Sequence, residues 1–212
     1  MSASSKEAWK RVLAERMPTG HLLACVDCLA DLMGDQLVTD NTATWAREGR
    51  VAARFASAVG AEFVWMQDRP DLGLEMPDAS HRYYEITEVL EPNRRRNDEY
   101  KEDRLLSQSG ENSVRTIQPD SAATSRVALR DGSNKKAEKA ATYGDGDVGL
   151  VVYLNTDLMA FDDCIAELEA GLHDDTAAAG CSFRDVWVLW SDRLYLVWEN
   201  GQAVTLSPML RV

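Results

Sequence analysis

The sequence predicts an α/β fold: a central mixed β-sheet flanked by helices, with an N-terminal helical segment packed on that core. Three observations carry this reading. Apolar residues recur at helical spacing through the first 60 positions. Short strand-like runs bounded by turn residues occupy 62–90. Val148-Gly-Leu-Val-Val-Tyr-Leu154 is almost wholly apolar, the mark of a strand covered on both faces. Residues 1–60 are therefore assigned to the helical segment. Residues 61–212 form the α/β core, with a long polar loop at 91–133.

Taken in order, a first helix runs from Ser5 to about Arg16, with Trp9, Val12 and Leu13 on one face; Pro18-Thr-Gly20 breaks it. A second helix spans His21 to about Leu37 and a third Thr42 to about Val59, where Gly60 supplies a C-terminal cap. Glu62-Phe-Val-Trp-Met66 has strand character. It leads into a hairpin whose turn is Pro77-Asp-Ala-Ser-His81. Glu91 to about Ser133 is rich in Arg, Asn, Asp, Ser and Gln and reads as a loop with some helix. Asn134 to about Tyr143 reads as a lysine-bearing helix and Phe161 to about His173 as an amphipathic one. Phe183–Trp190 and Arg193–Trp198 read as strands, with Gln202–Leu206 as a candidate last strand.

Composition bounds the function. No run of about 18 apolar residues exists, so no transmembrane helix is expected. The first residues lack the apolar core of a secretory signal, and cytoplasmic location is the default expectation. A formal net charge of −12 argues against coating nucleic acid through bulk electrostatics. It is compatible with a nuclease, because carboxylates that hold a divalent cation add negative charge and the ion reverses the local sign. Of four cysteines, Cys25 and Cys28 form a CxxC inside an amphipathic helix; buried structural thiols are the expectation, a metal or redox site the alternative.

The most informative stretch is Arg69 to Leu90. Asp71 opens one strand and Glu85 lies inside the next, where Tyr83, Glu85, Thr87 and Val89 share a face. A carboxylate within so apolar a strand needs a compensating partner. A metal ion shared with Asp71 is one candidate; a wet polar face is the other reading. Asp78 falls in the turn and is the weaker partner for Glu85.

Pro70-Asp71, followed about a dozen residues later by Glu85-Ile-Thr-Glu88, and then a lysine- and tyrosine-bearing helix before a buried strand, resembles the PD-(D/E)xK nuclease superfamily. The resemblance covers about Glu62 to Asn155. It implies a restriction-endonuclease-like core in which Asp71 and Glu85 hold Mg²⁺ or Mn²⁺ and a lysine positions the attacking water. Thr87 occupies the lysine position of the motif and carries no charge. Either Lys136 or Lys139 on the following helix reaches the same space, or catalysis has decayed and the fold only binds. Arg94, Arg95 and Arg96 are the densest cationic cluster, a candidate nucleic-acid contact or a solvated run. Glu62 and Glu88 are further acids near the motif: the former reads as a surface residue, the latter as facing away from Glu85.

The leading expectation is a metal-dependent nuclease acting on DNA, less readily RNA, in a bacterial or phage defence setting. The alternative is a catalytically inactive interaction module, with Trp187, Trp190 and Trp198 either lining a homodimer interface or filling the core. A serine or cysteine hydrolase has no support: there is no GxSxG, and His21, His81 and His173 are scattered.

Overall fold

The computed structural model describes residues 3–33, 44–90, 121–143, 147–155 and 162–209. Within them the order is α1 (Ala3–Ala14), β1 (Met17–Pro18), α2 (Thr19–Met33), α3 (Thr44–Ala58), β2 (Phe63–Met66), β3 (Leu72–Glu75) and β4 (His81–Leu90). There follow α4 (Ser121–Ala137), a 3₁₀ turn (Ala140–Thr142), β5 (Val148–Asn155), α5 (Asp162–Gly180), β6 (Asp185–Trp190), β7 (Arg193–Glu199) and β8 (Gln202–Ala203). Among the described residues the result is α/β: five helices on one eight-stranded mixed sheet, in which each strand pairs with the next in sequence. The β4–β5 and β5–β6 pairs are parallel, and α4 and α5 lie in the two crossovers; all other pairs are antiparallel. No described helix is long and apolar enough to cross a membrane.

Side-chain alternation splits the core into two layers. Val64, Leu72, Leu74, Tyr84, Ile86, Val151, Trp187 and Leu189 face α1, α2 and α3, where Leu13, Leu22, Val26 and Phe55 meet them. Val89, Leu150, Val152, Leu154, Val186, Val188 and Trp190 face α4 and α5, against Leu129, Ile165, Leu168 and Leu172. β5 is buried along nearly its whole length on both sides, as its uninterrupted apolar run predicts. Gly149 on that strand admits a close approach: a Cβ there would sit 2.4 Å from the Tyr84 ring and 2.7 Å from Asp185 Oδ1. Those two groups are themselves joined, Tyr84 donating to Asp185 Oδ2 at 3.0 Å.

Several expectations are corrected. Residues 121–133, read as the end of a polar loop, form most of α4, and the helix expected over Asn134–Tyr143 is only its last turn followed by the 3₁₀ turn. The cause is composition. The packed stripe of α4 is Ala122, Ser125, Ala128, Leu129 and Ser133, small residues that let the helix lie close to β4 rather than large apolar ones that announce burial. A Cβ on Gly132 would meet Val89 Cγ2 at 2.5 Å. α5 continues seven residues past His173 to Gly180. Cys25 is half-buried but Cys28 is exposed, so the pair is not the buried couple the helix pattern suggested; all four cysteines are free. Trp187 and Trp190 are buried within the chain, which removes both from any exposed interface.

Candidate active site

The site forms where β3, β4, α3 and the end of α4 meet. Leu72 pairs with Tyr84 in antiparallel register, which brings the preceding Asp71 level with Glu85. Asp71 follows a cis Arg69–Pro70 peptide bond. Its Oδ2 accepts the Ile86 N–H at 2.8 Å, anchoring the carboxylate on the backbone one residue past Glu85. Asp78 is spent on its own turn, accepting the Ser80 N–H at 2.9 Å and the Ser80 hydroxyl at 2.6 Å, so Asp71 is the hairpin acid that reaches β4.

Glu85 is 5% exposed. Lys136, in the last turn of α4, donates to Glu85 Oε1 at 2.5 Å. Glu85 Oε2 is buried and has no hydrogen-bond partner among the described residues. Burial lowers the Lys136 ammonium, but the hydrogen bond and charge of Glu85 outweigh it, and the net shift is upward. Lys136 is therefore a fixed cation at neutral pH rather than a proton acceptor. Its Nζ lies 5.7 Å from the centroid of the Tyr143 ring. Burial pushes the Tyr143 phenol up, Lys136 opposes that, and Glu85 adds to it.

Two further carboxylates complete the picture. Glu48 on α3 is half-buried; burial raises it, Lys136 and Arg47 pull it down, and Glu85 pushes it up again. Glu88 faces the other side of β4, as strand alternation requires, with Asn155 Nδ2 donating to it at 2.9 Å and Arg47 Nε 4.0 Å away. Glu62 is exposed. The additional acid beside Asp71 and Glu85 is thus Glu48, and its sequence signal was a carboxylate at helical spacing from Trp45, Ala52 and Phe55, on the packed side of α3. A cleft of about 380 Å³ opens beside Asp71 and Glu48, with Trp45, Leu13 and Met66 on its apolar wall and Lys10 at its rim.

Of the sequence candidates, Asp71, Glu85 and Lys136 converge. Thr87 lies two residues along β4, half-buried, in the wall of a second cleft that also holds Lys136. Lys139 is exposed and lines that second cleft without approaching Glu85 as Lys136 does. Arg94, Arg95 and Arg96 lie outside the described residues. Among the described residues no three His, Cys, Asp or Glu side chains cluster at metal-holding separations. Asp71 and Glu85 are the pair that could hold a cation. Their oxygens suit a hard divalent ion that retains water, and the orphaned Glu85 Oε2 is the atom such an ion would satisfy.

Burial also gives Asp71 a pH signature. It pushes the carboxyl up to about 7, with Glu85 and Glu48 adding to the rise and the Ile86 N–H and Lys136 opposing it. The folded pKa exceeds the unfolded value of 3.8, so the native state holds this proton more tightly. The associated stabilisation is complete below about pH 4 and is lost as pH rises through about 7. Denaturant titrations should show the parent losing about 2 kcal/mol more stability than Asp71→Asn across that window, the shift being discounted for residual solvent access. Parallel pH profiles for parent and variant would refute the assignment.

No family model, curated protein or solved structure matches the chain.

Proposed function

We propose that the protein is a divalent-metal-dependent phosphodiester hydrolase acting on nucleic acid, with Asp71 and Glu85 as metal ligands and Lys136 as the cation facing the scissile phosphate. The observation that carries this reading is the buried Glu85 carboxylate, with one oxygen held by Lys136 at 2.5 Å and the other without a partner among the described residues. A purely structural ion pair at such depth normally satisfies both carboxylate oxygens. The resemblance of Pro70-Asp71…Glu85-Ile-Thr87 to the PD-(D/E)xK superfamily, with a lysine on the helix before the next buried strand, points the same way. A bound Mg²⁺ or Mn²⁺ would polarise the phosphodiester and lower the pKa of a coordinated water.

The chain's own residues supply the rest. The Ile86 N–H fixes the Asp71 carboxylate on β4. Lys136 stays protonated and stabilises charge developing on the phosphate oxygens, taking over what a lysine at position 87 would do. It reaches the site because α4 lies close on β4 at Gly132 and Val89.

The test is cleavage of plasmid and of circular single-stranded DNA in Mg²⁺ and in Mn²⁺, with Glu85→Gln alongside. The expected result is metal-dependent cleavage that falls by at least about 100-fold in the variant. Equal activity in both proteins, or none in either, overturns the proposal. A second reading, a binding module that has lost catalysis, is favoured by Thr87 in the lysine position and by the lack of a third ligating side chain among the described residues. Calorimetry with Mn²⁺ separates the two, because only the hydrolase site requires the ion.

A further inference from the structure

The second cleft, about 400 Å³ in volume, opens beside Lys136 and Thr87. Its walls are Thr87, Glu88, Ala128 and Asp131, with Lys135, Lys136 and Lys139 along one side. Three lysines over five positions at the end of α4 stand out in a chain of net charge −12. Lys136 is committed to Glu85, whereas Lys135 and Lys139 are exposed. Helix geometry explains the division. Lys136 continues the packed stripe through Leu129 and Gly132, while Lys135 and Lys139, four residues apart, share the flank that faces the cleft. Both lie at or just past the helix C-terminus, where the helix dipole favours cations and does nothing to attract an anion, so the lysines themselves must supply the attraction.

Resting on the hydrolase reading above, we infer that this cleft holds the backbone of a single-stranded nucleic acid leading away from the cleavage point, with Lys135 and Lys139 on successive phosphates and Lys136 at the reacting one. Lys136 is paired with Glu85, and Glu88 is engaged by Asn155 and Arg47, so Lys135 and Lys139 exceed the remaining acid, Asp131, and the cleft favours an anion; the shared wall with Lys136 makes it continuous with the cleaved bond. The lysines lie along one side of a cleft of about 400 Å³ and so grip one backbone, and the duplex probe below tests whether a second strand accompanies it. Lys139 is then a grip on substrate rather than the hydrolytic cation.

The experiment measures binding of a fluorescein-labelled 12-nucleotide single strand by anisotropy, in EDTA so that no cleavage intervenes, at 50 to 200 mM salt. A duplex of the same sequence is the second probe. Each lysine–phosphate contact on a single strand contributes about −0.7 to the slope of log affinity against log salt. Lys135→Ala/Lys139→Ala should flatten the slope by about 1.4, which makes the parent lose about sevenfold more affinity than the variant over that fourfold salt range. In Mn²⁺ the same variant should show a raised KM with kcat retained, and Lys135→Arg/Lys139→Arg should behave as the parent. An unchanged slope in a parent that still cleaves DNA overturns the cleft assignment and leaves the hydrolase reading standing. Tighter binding of the duplex than of the strand overturns the single-strand assignment. A parent that neither binds nor cleaves either probe sinks both.

Discussion

Replacing Lys136 by alanine is expected to lower folding stability by about 3 kcal/mol and to reduce phosphodiester cleavage by at least about 100-fold. The two losses have one cause. The Glu85 side chain is 7% exposed and that of Lys136 21% exposed, so the carboxylate depends on the lysine while the lysine can still extend toward water. Without the ammonium, a buried charge remains whose other oxygen already has no partner among the described residues. Removing the carboxylate charge is milder, and Glu85→Gln should cost about 1 kcal/mol. The double variant Lys136→Ala/Glu85→Gln should regain most of the stability lost by Lys136→Ala alone, since the uncompensated charge has gone. Denaturant midpoints of the four proteins close the cycle, and strict additivity would show that the pair carries no coupling. Mn²⁺ should raise the Tm of Lys136→Ala more than that of the parent. In the variant the ion relieves a buried charge that nothing else compensates, whereas in the parent Lys136 already neutralises part of it through Oε1.

That pair also shows how far the sequence could be read. The position of Glu85 followed from strand alternation, and the choice of Asp71 over Asp78 from which acid opens a strand and which sits in a turn. The choice between Lys136 and Lys139 did not follow, because it depends on helix phase. The phase was hidden by the small residues of α4: Ser125 and Ser133 are fully buried, yet to a reading of apolar periodicity they look like loop. Once the helix begins at Ser121, Lys136 lies on the same stripe as Ser125, Leu129 and Gly132, and its direction toward β4 is determined. Glu48 was passed over for a related reason. Trp45, Ala52 and Phe55 recur at helical spacing, and an acid lying among such apolar residues reads as surface until the packing is known. The β-strands were the most legible elements, because β4, β5 and β6 bury long runs of large β-branched, leucine or aromatic residues.

The packing of α4 on α5 leads to the second large effect, in which removing two arginines costs more than removing the aspartate they share. Asp175 on α5 has a fully buried side chain. Arg126 Nε donates to its Oδ2 at 2.7 Å, and Arg130 Nη2 to its Oδ1 at 2.5 Å, both from α4. The arginine side chains are 28% and 50% exposed, so each keeps access to solvent that the carboxylate lacks. Gly171, one turn earlier on α5, makes room for the first of them: a Cβ there would lie 2.1 Å from Arg126 Nε. Arg126→Ala/Arg130→Ala should therefore cost about 3–5 kcal/mol, the penalty for a buried charge left alone. Asp175→Asn should cost only about 1–2 kcal/mol, because both guanidinium groups can turn outward and the amide carries no charge. Gly171→Ala should fall between them, as it displaces Arg126 and leaves Arg130 in place. Thermal or denaturant unfolding of the three variants decides the matter. The reverse order, with Asp175→Asn the most damaging, would mean that water reaches this carboxylate and that the arginines are not what compensates it. The α4–α5 contact would then rest on apolar packing, with Leu129, Ile165, Leu168 and Leu172 at its centre.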